Sequence, residues 1–229
     1  PTNSKRFGQT PLVRLCDDGA YRLTDEFRSM LEQTTFRTFF TDTVEAGLFN
    51  ALALAESSRK HHIRQNHGFL YGEKYSVFDV MRLCGWPAEQ VPQNVGGYKL
   101  DTETGSLPIF IKYEASQYGD RFLNPGEIEW FSKNNRSLKS NEFRWLLDGT
   151  ERTPEWQNRH FVPIFIRRKA EEQEKSYYFV GSAVALDNVR VSVNPGEDGS
   201  ESKVVISTLK LGKPVDPELY RHLTGKSAL

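Results

Sequence analysis

Between Ser132 and Arg144 the chain sets four cations, Lys133, Arg136, Lys139 and Arg144, among serines and asparagines, with Glu142 as the one acid. That mixture suits phosphate: cations supply charge, and hydroxyls and amides fix geometry. Ser132, Lys133, Arg136, Lys139, Ser140 and Arg144 are therefore candidate nucleic-acid contacts. Trp130-Phe131 stands directly upstream, and an indole beside a basic loop can stack on a base. The competing reading is a polar loop that Trp130 anchors to the core.

Other chemistry is sparse. No Walker-type loop, G-x-G-x-x-G turn, G-x-S-x-G elbow or H-E-x-x-H helix occurs. Gly96-Gly97 reads as turn geometry rather than a phosphate cradle. His61, His62 and His67 fit no standard metal spacing and have no cysteine nearby, so a solvated helix end is the plain reading. Glu201-Ser202-Lys203 has the E-x-K form used by metal-dependent nucleases, with Asp187 as its one conceivable partner, but it sits in a Gly/Ser loop. Neither a catalytic residue nor a metal or other cofactor is expected.

The elements that must position these residues change texture along the chain. Thr24 is a plausible N-cap with Asp25 and Glu26 in the first turn. Phe27, Met30 and Leu31, then Phe36, Phe39, Phe40, Val44, Leu48, Leu52 and Leu54, fall at helical spacing, fading into the basic run Arg59–Arg64. Ser76 and Asp79 make a weak capping box for a short helix closed by Gly85 and Pro87. From Val95 onward strands dominate. Gly96–Leu100 and Leu107–Tyr113 read as a hairpin, 141–148 as helix or strand, and Phe161–Arg168 as a strand in which Pro163 suggests an edge or entry position. Tyr177–Leu186 and Val204–Leu211 follow, and Asp216-Pro217 opens a terminal helix. The fold class expected is α+β: an N-terminal helical region over 1–66, then a curved mixed or antiparallel sheet or small β-barrel over 67–229.

Composition bounds the partners. Across 229 residues, 30 Lys+Arg balance 30 Asp+Glu. That excludes a protein holding DNA by bulk charge over its whole surface and a polybasic membrane binder, so any DNA site must be local. Cys16 and Cys84 are too few for a disulfide framework and read as reduced thiols of a cytoplasmic protein. No apolar run approaches a membrane span. A chain opening at Pro1 is expected to be processed or excised from a longer one.

Several short motifs together carry a resemblance: Tyr71–Trp86, Gly97-Tyr98-Lys99, Pro108–Tyr113, Trp130-Phe131-Ser132 through Arg136 and Ser140, Phe161–Arg168, Tyr177–Gly181, and Val204–Leu211 with Pro214-Val215 and Leu219-Tyr220. Over roughly residues 20–223 the chain resembles an uncharacterised domain family that follows the motor of bacterial DEAD/DEAH-box helicases, often with a phospholipase-D-like nuclease, in restriction and phage-defence settings. The resemblance implies a non-catalytic accessory domain whose partners are double-stranded DNA and the helicase core of its parent chain. More loosely, a curved β-domain with aromatic residues at its mouth resembles the modified-base readers of restriction enzymes, which enclose a flipped base in an aromatic pocket. Tyr98, Tyr113, Trp130 and Tyr178 are the candidates for such a pocket. The alternatives are a protein-interaction or autoinhibitory domain docking on the motor through the Phe-rich helices, and a cryptic metal nuclease around Glu201 and Lys203.

Overall fold

The computed structural model describes residues 11–58, 68–87, 92–114, 119–195 and 201–226. The basic run Arg59–Arg64 and the histidines His61, His62 and His67 lie outside the described residues. The chain divides into two compact units, Pro1–Gln65 with Pro87–Glu89, and Asn66–Trp86 with Gln90–Leu229.

In the first unit, β1 (Val13–Leu15) and β2 (Tyr21–Leu23) form an antiparallel pair, followed by α1 (Asp25–Glu32) and α2 (Thr34–Ser58). Thr24 caps α1 by accepting a hydrogen bond from the Phe27 amide. Gln33 is extended, which splits the helical stretch in two. Phe27 packs edge-on against Phe36 and Phe40. Phe39, Val44 and Leu48 on α2 are exposed.

The second unit holds β3 (Lys74–Ser76), α3 (Val77–Leu83), α4 (Pro92–Val95), β4 (Ile109–Tyr113), β5 (Arg121–Asn124), β6 (Glu127–Phe131), α5 (Asn141–Leu146), α6 (Trp156–Arg159), β7 (Val162–Arg168), a 3-10 turn (Lys169–Glu174), β8 (Ser176–Pro195), β9 (Glu201–Leu211) and α7 (Pro217–Thr224). Its sheet runs β4-β7-β8-β9-β6-β5, with β3 added to β8. The β4–β7 pair is parallel and the others are antiparallel, so the sheet is mixed.

The sheet is curled, and β8 shows why. Its 20 residues contain register shifts at Val180, at Val184 and across Asp187–Arg190. Each inserts extra residues against the neighbouring strand, bending it and raising its twist. The two edges of the sheet consequently approach each other: Tyr113 on β4 and Phe122 on β5 have ring centroids 5.8 Å apart, and Phe122 meets Tyr220 of α7 at 5.1 Å. The result is a half-barrel closed by a helix, the α+β architecture with a curved mixed sheet expected from the sequence.

Strand alternation sorts the apolar side chains onto two faces. The inner face of the curl gathers Ile109, Ile111, Trp130, Ile164, Ile166 and Leu209 with Phe143, Leu146, Trp156 and Tyr220 from the helices. The outer face carries Phe110, Phe165 and Phe179, covered by Phe69, Met81 and Trp86. The Ser76–Asp79 capping box of α3 is complete, and Gly85 follows the helix at a φ of 73°. Cys84 is buried there, and burial pushes its thiol up to about 12, which leaves it inert.

Two expectations change. Gly96–Leu100 is not a strand of a hairpin; only isolated bridges join Tyr98 to Ile109 and Asp101 to Ser106, and β4 pairs with β7 instead. Gly96 and Gly97 both adopt positive φ directly after α4, which breaks the extended path. The ambiguous stretch 141–148 is helical over Asn141–Leu146, with Phe143 and Leu146 reaching the inner core from one helix face. Pro163 is the second residue of β7, an internal strand, and it faces Ser182 across the β8 pair.

Candidate nucleic-acid interface

The loop after β6 owes its course to β9. The Ser132 amide donates to Val205 O at 2.9 Å, and the Ser132 hydroxyl accepts from the Val205 amide at 2.8 Å while donating to Lys133 O. Asn134-Asn135 then turns, with Asn135 at a φ of 60°, a left-handed position that asparagine tolerates. The turn returns the Arg136 amide to Lys203 O at 3.3 Å. Further on, the Ser140 hydroxyl accepts from the Ser137 amide, and the Ser137 hydroxyl from the Lys139 amide. Ser132 and Ser140 thus have structural duties: they hold the loop's shape.

Behind the loop lies a buried polar cluster. Glu142 accepts from the Tyr98 hydroxyl at 3.0 Å and lies 3.2 Å from Arg136 Nε. The Tyr98 hydroxyl in turn accepts from the Lys133 amide at 3.2 Å. Lys133 Nζ donates to Val95 O at 2.8 Å and lies 4.7 Å from the Tyr98 ring centre. Burial pulls the Lys133 amine down and pushes the Tyr98 phenol up. Lys133 is therefore committed to the protein. Arg136 is anchored through Nε, but its side chain is 42% exposed and its terminal nitrogens carry four further N–H donors.

Lys139 and Arg144 are exposed and form no ion pair among the described residues. Lys203, also exposed and without an ion pair among the described residues, lies near the loop because β9 runs beside it. The Glu201-Ser202-Lys203 triplet, expected in a Gly/Ser loop, opens strand β9, and the backbone bond from Arg136 brings Lys203 to the basic loop. The alternating pattern of β9, with Val205 and Leu209 facing inward, was the available signal for the face on which Lys203 projects.

The four candidate aromatics do not share one pocket. Trp130 is 1% exposed and wedged between Tyr98, at 5.0 Å edge-on, and Phe143, stacked at 5.7 Å. It is a core residue, not a stacking platform, because its inward position on β6 points it into the curl. Tyr98 is buried beside it. Tyr113 and Tyr178 instead flank α7: Tyr113 packs near Phe122 and Tyr220, and the Tyr178 hydroxyl lies 3.4 Å from His222 Nε2.

An open cleft of about 590 Å³ lies beside Tyr113, lined among others by Arg168, Lys169, Arg221, His222, Glu114 and Glu218. Its charges are largely spent within the protein. Arg168 and His222 both meet Glu171, and Lys169 meets Glu114. The cleft also borders Leu223, Thr224 and Gly225, the carboxyl end of α7, whose dipole opposes an anion. Phosphate is better served at the loop. His160 is buried on the inner side, with Nδ1 2.9 Å from Trp156 O and Nε2 2.8 Å from Trp145 O. No group of three or more His, Cys, Asp or Glu among the described residues is placed to hold a metal ion, and no described helix is long and apolar enough to cross a membrane.

Comparison with known families gives a match over residues 69–223, about two thirds of the chain, to a domain of unknown function (DUF3427). The chain belongs to the DUF3427 family. A second domain of unknown function (DUF8090) matches residues 1–55. No curated protein matches. Among solved structures, the chain is similar to the DNA recognition domain of the cytosine modification-dependent restriction endonuclease LpnPI, at 12% identity and a TM-score of 0.43, covering 70% of this chain and 90% of that one. It is similar also to the sulfur binding and SRA domains of ScoMcrA complexed with phosphorothioated DNA, at 15% identity and a TM-score of 0.42, covering 69% of this chain and 47% of that one. The SRA domain of SUVH5, in complex with fully methylated CG DNA, gives 12% identity and a TM-score of 0.38 over 65% of this chain and 94% of that one. These are loose likenesses of chain course.

Proposed function

We propose that the DUF3427 unit is a non-catalytic module that binds duplex DNA, with Arg136, Lys139, Arg144 and Lys203 contacting phosphates. The observation that carries this reading is that Lys139, Arg144 and Lys203 are exposed and without an acid partner among the described residues, while the Arg136 guanidinium, anchored at Nε, keeps its terminal nitrogens on a loop whose backbone is held to β9. In a protein with balanced charge, most cations of this unit are neutralised by near neighbours, as in Lys112–Glu172, Arg152–Asp187 and Arg159–Asp148. Cations without such a pair among the described residues are free to meet a polyanion. The setting fits an accessory domain of a restriction-type helicase, the exposed Phe39, Val44 and Leu48 of α2 being the face for the motor. Co-purification of the fragment with its own motor, lost on Phe39→Ser, would support that part; no association would remove it.

The DNA reading is tested by titrating a duplex at several salt concentrations. Wild-type protein should bind more weakly as salt rises, and Arg144→Ala or Lys203→Gln should each lower the salt slope by about one while leaving thermal stability unchanged. Absence of duplex binding at low salt would sink the proposal.

A further inference from the structure

Strand β6 ends at Phe131, opposite Ile206, so β8 and β9 continue past it as a two-stranded ribbon bordered by the basic loop. On this ribbon Val191 pairs with Val205, and Val193 with Lys203. Cross-strand partners project to the same face, so Val191, Val193 and Lys203 share the face that Val205 turns inward. Closer to the barrel that face is closed core, but here it opens: Val191 is 52% exposed and Val193 50%. Two neighbouring exposed valines make an apolar strip, flanked by Lys203, which has no ion pair among the described residues, and by Arg136, whose amide is bonded to Lys203 O. Glu201, next but one to Lys203 on β9, is exposed at the outer limit of the same face.

We infer that this ribbon face enters the DNA major groove and reads the C5-methyl groups of pyrimidines, thymine or 5-methylcytosine. The inference rests on the proposal that the unit binds duplex DNA. Charge complementarity selects the occupant: an apolar strip edged by cations fits a surface of methyl groups framed by phosphates. The dimensions agree. A two-stranded ribbon fits the major groove, which is about 12 Å wide and is where the C5-methyl is displayed. Residues two apart on a strand are separated by about 6.8 Å, which is two base-pair steps of about 3.4 Å. Val191 and Val193 would therefore meet methyl groups two steps apart. Such reading leaves the base in its stack and needs no aromatic pocket, in keeping with the separation of Tyr98 and Trp130 from Tyr113 and Tyr178.

The experiment compares three duplexes of one mixed sequence: unmodified, with every thymine replaced by deoxyuridine, and with every cytosine replaced by 5-methylcytosine. Wild-type protein should lose about fourfold in affinity for each covered methyl that deoxyuridine removes, the worth of one buried methyl group, and should bind the methylcytosine duplex at least as well as the unmodified one. Val191→Thr with Val193→Thr keeps the β-branched shape, and the serine pair removes the methyls altogether. The serine pair should bind the unmodified and uracil duplexes equally, and the threonine pair, which keeps one methyl at each position, should discriminate less than wild type, both with the wild-type salt slope and unchanged melting temperature. Lys203→Gln should show the opposite split: a lower salt slope with methyl discrimination intact. Equal wild-type affinity for thymine and uracil duplexes overturns the inference while the DNA-binding proposal stands. No binding to any duplex overturns both. A dimer in sedimentation that the serine pair abolishes also overturns it, by making the strip a protein interface.

Discussion

Trp130 and Arg144 lie 14 residues apart on the same stretch of sequence, and the structure gives them opposite duties. Trp130 fills the space between Tyr98 and Phe143 in the inner core. Trp130→Ala should cost about 3–5 kcal/mol by transfer and cavity terms, read as a lowered denaturant midpoint. Any loss of DNA binding in that variant should track the unfolded fraction. Arg144→Ala should do the reverse, weakening binding with the midpoint unmoved. A Trp130→Ala protein as stable as wild type would show that the indole is not packed as described. Glu142 belongs with Trp130: buried beneath the loop, it holds Tyr98 and Arg136 and sets where the guanidinium can point.

At the scale of elements, β8 decides the shape of the sheet. Gly181 sits beside its first register shift at a φ of 123°, and a Cβ built there would lie 2.9 Å from Tyr71 Cε1. Both the backbone angle and the ring exclude a larger residue. Gly181→Ala should therefore destabilise the unit by about 1–3 kcal/mol, the usual cost of a forced left-handed non-glycine residue, measured by chemical denaturation. A neutral result would mean that the bulge relaxes freely and does not direct the curl. Local sequence patterns announced the caps well. Thr24, Ser76 and Asp216 each form the side-chain bond to the first-turn amides that their identity suggests. They did not announce that a strand would run 20 residues, because its bulges interrupt the alternation by which strands are read.

For the whole molecule, 30 cations balance 30 anions, and many of those described meet in ion pairs such as Lys112–Glu172 and Arg168–Glu171. Several carboxylates are held below their ordinary range. For Glu171, burial pushes the carboxyl up, but the His222 hydrogen bond and the charges of Arg168, His222 and Lys74 outweigh it. For Asp187 the Asn188 amide leads, opposed by burial, with Arg152 and Lys210 adding to it. A carboxylate whose folded pKa lies below its unfolded value adds stability above the unfolded pKa and loses it as pH falls through the folded one. Melting temperature should therefore fall as pH drops below about 4. Glu171→Gln should flatten part of that fall, and an unchanged acid profile would show that the Glu171 pairs are not formed.

The sequence by itself determined the class of the fold, the helix starts, the apolar faces of the strands and the presence of a cation-rich loop. These depend on neighbours within a few residues, where capping, periodicity and charge act. The tertiary structure alone decided that Trp130 is core, that Lys133 is spent on Val95 O, that the aromatic candidates separate into two pairs, and that Lys203 with Val191 and Val193 opens beside the loop. Each of these is set by pairing between strands far apart in the chain, and register over such distances is fixed by packing that no local pattern contains.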